Sequence, residues 1–266
     1  MRLKITLRNK TPGLLPFNYY YPLSAAVYKL LRFGSPEFAS FLHDMGYNHY
    51  GKKYKLFTFA LRFEKYKSEK SFIRLQSDNA YLYITSPLVD KFIQNFVVGT
   101  FESQNIEIGV NGSKTVFSIS QVESLPEIEF KNEMKFRLLS PMVLSTKREM
   151  NSKLMPYYFR CNDDPAEMNR VFANNLKNKF MLLTGNSAEG KEISFEWDTE
   201  YIRLVESKGK RTTRKETIKE GTPEQTEVIG NLVPFIVRGD VELIKAGYEC
   251  GYGEKNSLGF GFAEAD

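Results

Sequence analysis

An α+β fold built as two tandem units is what this sequence predicts, on three observations. Short segments alternate apolar and polar residues with the period of two that half-buried strands show. Between them run segments whose apolar residues recur at helical spacing, several opened by Ser-Pro or Asp-Pro and closed by glycine. The order strand, helices, strands, helix, strand runs once through the first half and again, in outline, through the second, without a residue-level repeat. That order is the one of a ferredoxin-like (RRM-like) unit, in which helices cover one face of an antiparallel sheet. Two such domains are expected, residues 1–125 and 126–266, with a cleft between their sheets.

The first unit opens with MRLKITLRNK, where Leu3, Ile5 and Leu7 alternate with Arg2, Lys4, Thr6 and Arg8, a strand with a basic outer face. The loop TPGLLPFNYYYP follows. From Pro22 on, Leu23, Val27, Leu30 and Leu31 share one helical face, and the pattern stops at Gly34. Ser35 is an N-cap with Pro36 in the first helical position, so Phe38, Phe41, Leu42 and Met45 form the apolar stripe of a second helix that ends at Gly46. KLFTFALRF, SFIRLQ and AYLYITS read as strands, SPLVDKFIQNFVVGTF as a helix introduced by its Ser-Pro cap, and residues 105–122 as closing strand.

In the second unit strands are expected around 127–138, 191–206 and 226–237, the last two separated by the basic segment SKGKRTTRKETIK. A helix is expected from Asp164, its cap, to Gly185, and a last helix opens at Gly239–Asp240.

With 266 residues, 42% of them hydrophobic and 26% charged, the chain has the material for a packed core. No stretch approaches the roughly 18 apolar residues of a spanning helix, and the alternating first ten residues are unlike a leader peptide, so a soluble, cytoplasmic protein is expected. Cys161 and Cys250 have no CxxC partners, which argues against a disulfide framework or a structural zinc and leaves two plain thiols. A net charge of +5 with 14% aromatic residues leans toward a polyanionic partner.

Five glycines crowd into GYECGYGEKNSLGFG, Gly247 to Gly261. No glycine precedes a Lys-Ser or Lys-Thr pair, Asn256 stands where a dinucleotide fingerprint needs its third glycine, and no helix follows to receive a phosphate. These departures argue against mononucleotide binding in those two styles. Two readings stay open: a hairpin that only turns, or a loop whose bare backbone lies against a bulky anion such as RNA. In the second, Lys255, Asn256 and Ser257 would offer donors to phosphates.

The string AGYECGYGEKNSLGFGF resembles the C-terminal glycine-rich signature of the CRISPR-associated repeat-processing endoribonucleases, the sixth Cas family. LPFNYYYPLSAAVYKLL and SPEFASFLHDMG, followed by YKLFTFALRF, resemble that family's N-terminal block. The likeness covers about a third of the residues closely and the chain in outline; roughly 65–240 diverges. It implies cleavage of CRISPR precursor RNA within each repeat, with no metal and no cofactor, by attack of a ribose 2′-OH that leaves a 2′,3′-cyclic phosphate and a 5′-OH. The implied partners are CRISPR repeat RNA and other Cas proteins, with the chain a monomer or homodimer. The alternative is a non-cleaving repeat-RNA binder or effector-complex subunit.

Such a cleavage needs a base for the 2′-OH, an acid for the departing 5′ oxygen and positive charge on the phosphorane. At about 100° per residue His43 sits roughly 140° from Phe38, and Tyr28 roughly 140° from Leu23, so both leave the packed faces of consecutive helices. A solvated side chain is the bland reading of each. The family resemblance implies that Tyr28 and His43 are the catalytic tyrosine and histidine and that Lys55, in YKLFTF, is the catalytic lysine. His43 would be general acid or base, Tyr28 its orienting or proton-sharing partner and Lys55 the clamp on the phosphorane. The same connection carries His49, read as a loop residue, and Lys52 and Lys53. Candidate contacts to the RNA backbone are Arg2, Lys4, Arg8, Lys52, Lys53, Lys208, Lys210, Arg211, Arg214 and Lys215, together with Lys255, Asn256 and Ser257.

Overall fold

Arg2–Asn9 pairs on both edges, with Asn79–Thr85 on one side and Ser113–Ser124 on the other, and so becomes the middle of a five-stranded antiparallel sheet. The computed structural model describes residues 1–10, 13–49, 51–110, 113–150 and 152–266. Thr11 and Pro12 of the predicted loop, Tyr50 of the connection after the second helix, and Asn111 and Gly112 of the predicted closing strand lie outside the described residues. Across the sheet the order is Thr58–Phe63, Asn79–Thr85, Arg2–Asn9, Ser113–Ser124, Asn105–Val110. Without the Asn105–Val110 edge this is the ferredoxin-like arrangement, each neighbour antiparallel.

Helices α1 (Tyr20–Gly34), α2 (Pro36–Asp44) and α3 (Gln94–Ser103) belong to this half. Leu3, Ile5 and Leu7 are buried with Leu23, Val27, Leu30 and Leu31 of α1 and Phe96 of α3, so the period-two and helical patterns meet in one core. α1 and α3 touch closely: a Cβ on Gly99 would lie 1.9 Å from the Leu30 carbonyl oxygen. Arg2, Lys4 and Arg8 alternate with that core and belong to the opposite sheet face.

The second half repeats the arrangement with the order Ile193–Trp197, Phe235–Gly239, Glu133–Leu138, Ala263–Ala265. α4 (Pro165–Thr184) and α6 (Val241–Cys250) supply Phe172, Leu176 and Ile244 to a core shared with Phe136, Phe195, Trp197 and Phe235. The predicted caps are in place: Ser35 accepts from Phe38 N at 3.2 Å and Asp164 from Ala166 N at 3.1 Å. Cys161 and Cys250 are free thiols. Among the described residues no helix is long and apolar enough to cross a membrane.

The structure departs from the sequence reading at five points. Residues 199–207 are not strand but a helix, α5 (Thr199–Ser207), because Asp198 caps it by accepting from Tyr201 N at 2.9 Å. Part of the basic separator is itself a strand, Thr213–Ile218, paired with Thr226–Asn231. A second hairpin, Ser145–Met150 with Lys153–Tyr158, has no counterpart in the sequence reading. On α2 the buried positions are Ala39 and Leu42, whereas Phe41 is 36% and Met45 64% exposed, so the packed stripe is narrower than predicted. The SFIRLQ strand, Phe72–Leu75, stands outside the main sheet in a small one with Leu14–Pro16 and Tyr66–Ser68.

Candidate active site

α1 and α2 are joined at Ser35, whose extended backbone turns the chain while its hydroxyl caps α2. The turn brings the outer faces of the two helices together. Tyr28 and His43 meet edge to face, ring centroids 5.4 Å apart at 87°, with Phe57 behind Tyr28 at 5.8 Å. Burial pushes the Tyr28 phenol up in pKa, against a hydrogen bond with the Ser257 side chain that pulls it down. The group is therefore an O–H at neutral pH, a donor rather than a base.

His43 sits in the last turn of α2 with its side chain 68% exposed. Its Nδ1 lies 2.7 Å from Asp44 Oδ1, and this hydrogen bond holds the Asp44 carboxyl below its ordinary pKa. A carboxylate can only accept, so Nδ1 carries the proton and Nε2 of the neutral ring keeps its lone pair.

Lys55 follows the short strand Lys52–Tyr54, which pairs with Tyr47–His49. Its Nζ donates to the Leu42 carbonyl and, at 2.8 Å, to the His43 carbonyl, closing the C-terminus of α2. Lys53 donates to the Asp44 carbonyl at 2.8 Å. Two ammonium groups thus face the negative end of the helix dipole. Burial lowers the Lys55 pKa, the neighbouring Lys53 charge lowers it further, and Asp44 opposes both. Leu56, next in the chain, is held at φ +56°, a left-handed conformation that costs a branched residue about 1–2 kcal/mol.

The glycine loop completes the site from the other half of the molecule. It leaves α6 at Gly251, makes one 3₁₀ turn over Asn256–Leu258 and returns to Ala263–Ala265. Ser24 of α1 donates its hydroxyl hydrogen to the Ser257 carbonyl at 2.7 Å, and Thr58 donates to the Phe260 carbonyl at 2.8 Å. Tyr20 stacks on Phe260, centroids 5.1 Å apart. Sequence reading left open whether the loop only turns; its backbone is in fact docked against the first half.

A groove of about 460 Å³ results, lined by Tyr21, Tyr28, Arg32, His43, Lys55 and Ser257. A second cavity of about 250 Å³ shares Lys55 and Ser257 with it and adds Lys52, Lys53, Lys179 and Lys255. The sequence-predicted residues Tyr28, His43 and Lys55 thus converge, with Lys52, Lys53, Lys255 and Ser257 close by. Asn256 lines the second cavity too, but its Nδ2 donates to the Tyr252 and Phe260 carbonyls within the loop.

Others lie elsewhere. Arg2 is buried, its guanidinium 3.2 Å from the Tyr248 ring centroid and bonded to the Tyr248 carbonyl at 2.7 Å. Desolvation lowers its pKa to about 10. Arg214 lies over Phe17, Tyr19 and Tyr20 and pairs with buried Glu216, fastening the 213–231 hairpin to the first half. Neither side chain is free for a phosphate. Lys4 pairs with Glu123 at 3.3 Å and Lys215 with Glu227 at 2.7 Å, whereas Arg8, Lys208, Lys210 and Arg211 are exposed. His49 belongs to the short strand Tyr47–His49.

Sequence reading missed Asp44, the partner of His43, and Lys179, which is 1% exposed inside α4 and donates to the Gly251 and Gly253 carbonyls at 2.6 and 2.7 Å. The signal for Lys179 was there: it falls three residues after Leu176 and seven after Phe172, on an apolar helical stripe where an ammonium has no place without a task.

Comparison with known proteins places this geometry in context. The family model for CRISPR-associated protein Cas6, N-terminal, matches residues 14–123, and that for CRISPR-associated protein Cas6, C-terminal, matches residues 123–265. CRISPR-associated endoribonuclease Cas6 1 of Methanocaldococcus jannaschii is 32% identical over 98% of this chain and 91% of its own length. CRISPR-associated endoribonuclease Cas6 of Pyrococcus furiosus is 26% identical over 95% of this chain and 84% of its own. A solved CRISPR-associated protein Cas6 superposes with a TM-score of 0.74 at 30% identity, covering 100% of this chain and 99% of that one. The structure of a Cas6-related protein from Pyrococcus furiosus, 24% identical, shares the fold with a TM-score of 0.80 over 100% of this chain and 98% of its own.

Proposed function

Because the chain belongs to the Cas6 family of CRISPR-associated proteins, we propose that it cleaves CRISPR precursor RNA within the repeats, by attack of a ribose 2′-OH on the adjacent phosphorus and without a metal ion. The observation that carries this reading is the convergence of Tyr28, His43, Lys55 and Ser257 on one groove. His43 Nε2, with its lone pair directed by the Nδ1–H···Asp44 bond, takes the 2′-OH proton. Lys55, two of whose N–H groups hold the end of α2, has a third for the phosphorane and the departing 5′ oxygen, and burial loosens that proton. Tyr28 donates its O–H to a nonbridging oxygen or to the nucleophile's ribose. The products are a 2′,3′-cyclic phosphate and a 5′-OH. The boundary we propose between the two domains, at 125/126, falls between the strands Ser113–Ser124 and Glu133–Leu138.

Incubating the protein with its repeat RNA in EDTA and analysing the product ends tests the reaction. Cleavage that stops in EDTA, or 3′-OH products, would overturn it. His43→Ala should lower the single-turnover rate by roughly 10²–10⁴ while RNA affinity holds; a loss of only a few-fold removes His43 from the chemistry. The bland alternative, a protein that holds repeat RNA uncut, finds support in the structural task Lys55 already has at the end of α2. RNA binding with no cleavage, unchanged by His43→Ala, would favour it.

A further inference from the structure

We propose that the cavity between the strand Lys52–Tyr54 and the glycine loop is a second phosphate subsite, which seats one of the two RNA phosphates flanking the scissile one on the buried ammonium of Lys179. The proposal rests on reading the adjoining groove as the cleavage site. The two spaces are continuous in their walls, since Lys55 and Ser257 line both, so a backbone lying in the groove has its next phosphate at the cavity. At about 250 Å³ the cavity is roomy enough for a phosphate with its water and too small for a folded partner.

Its charge is one-sided. Lys52, Lys53, Lys55, Lys179 and Lys255 line it against a single carboxylate, Glu254, which is already engaged by Lys52 at 3.6 Å and by the Ser145 hydroxyl at 2.5 Å. Lys179 is the unusual member. Its two hydrogen bonds go to neutral carbonyls, Gly251 and Gly253, and among the described residues no carboxylate bonds to it, Glu254 acting on its charge only through space. A buried ammonium with no directly bonded carboxylate is costly, and an anion in contact would offset that cost. Asn175, on the same wall, has a buried Oδ1 with no partner among the described residues, which a hydrated phosphate can serve through water.

The groups that face Lys179 agree with this. Cys250 of α6 is pushed up to about 12 and stays a neutral thiol, Glu254 approaches from the loop, and Tyr54 has its phenol raised by burial. Desolvation holds Lys179 at about 8, so an added anion has room to raise it.

The test uses the full chain and a repeat RNA made non-cleavable by a 2′-O-methyl ribose at the cut, in native form and with one neutral methylphosphonate at either phosphate flanking the scissile one. Fluorescence anisotropy gives the affinities. For the wild type, one of the two neutral linkages should weaken binding about tenfold, the weight of a charge-assisted contact. For Lys179→Met and Lys179→Gln the same linkage should cost less than about twofold. Equal penalties in wild type and variants, or no penalty at either position, overturn the subsite. Independently of any variant, NMR of ¹³Cε-labelled lysine should find the lysine of lowest pKa taking up its proton about tenfold more tightly with native RNA than with the neutral-linkage RNA. No difference between the two RNAs overturns the subsite too. Cleavage of the unmodified RNA is scored separately. Coupling without cleavage keeps the subsite and removes the nuclease reading; cleavage without coupling does the reverse.

Discussion

Gly261→Ala separates two effects that glycine conservatively hides, a backbone conformation and a close approach. Gly261 has φ +75°, and a Cβ there would lie 1.9 Å from the Tyr252 carbonyl oxygen and 3.0 Å from Asn256 Nδ2. Gly185, past the end of α4, has nearly the same φ, +73°, with nothing within 4 Å of its missing Cβ. Alanine at 185 therefore meets only the left-handed penalty, about 1–2 kcal/mol. At 261 the same penalty applies, and the carbonyl must also move. Two hydrogen bonds go with it, Gly261 N to Pro141 O and Tyr252 N to Gly261 O, both 2.8 Å, at about 1 kcal/mol each. The sum is about 3–4 kcal/mol. For a protein of this size that is a fall in Tm of roughly 6–16 °C for Gly261→Ala against roughly 2–8 °C for Gly185→Ala, read by circular dichroism under one buffer. Gly261→Ala should also slow cleavage at a temperature where it remains folded, since the loop carries Ser257 to Tyr28; Gly185→Ala should not. Equal losses of Tm in the two variants would refute the reasoning, because the close contact would then carry no energy.

Three further outcomes are expected. Lys179 has a folded pKa of about 8 against an ordinary 10.5, so burying its charge weighs on the fold below pH 8 by about 3 kcal/mol and is relieved as pH rises from 8 through 10.5. The stability difference between wild type and Lys179→Gln in urea should shift in favour of the wild type across that window, and a constant difference would contradict the burial argument. Arg2→Met should lower Tm through the lost Tyr248 contacts yet leave the salt dependence of RNA binding unchanged, whereas Lys210→Ala with Arg211→Ala should leave Tm alone and, if those side chains meet phosphates, flatten the salt slope by about 0.7 each. Tyr28→Phe, which keeps the ring against His43 and Phe57 but removes the donor, should lower the cleavage rate more than the affinity for RNA; equal falls in both would assign Tyr28 to binding.

Local chemistry was legible and distant chemistry was not. Ser35-Pro36 and Asp164-Pro165 announce helix starts because a cap is made within three residues. The rotation of His43 away from the packed face could be counted because it lies inside one helix, whereas Tyr28, counted the same way, is packed against the core beside Phe57. Lys55 could not be recognised as a helix cap, since its acceptors are 12 and 13 residues away across a strand. The 145–158 hairpin escaped because its strands mix Lys, Arg, Glu and Thr where no buried face imposes a period of two, and the strand 213–218 escaped because one of its two buried positions, Glu216 and Ile218, is a carboxylate. α5 lies in the stretch expected as strand, where Tyr201, Ile202 and Val205 favour sheets but the Asp198 cap sets a helix. Arg2 and Arg214 read as basic surface because charge does not reveal burial: a guanidinium that lies flat on aromatic rings is compatible with an interior.

The bond from Ser24 to the Ser257 carbonyl spans 233 residues of chain. A ribosome adding about 5–20 residues per second needs about 10–50 s to make that stretch. For most of that interval, once residue 55 has been added, Tyr28, His43 and Lys55 are present but the wall opposite them is not. The proposed cutting centre is therefore completed late: a nascent chain that has not reached Ser257 carries the reactive side chains without the wall that faces them.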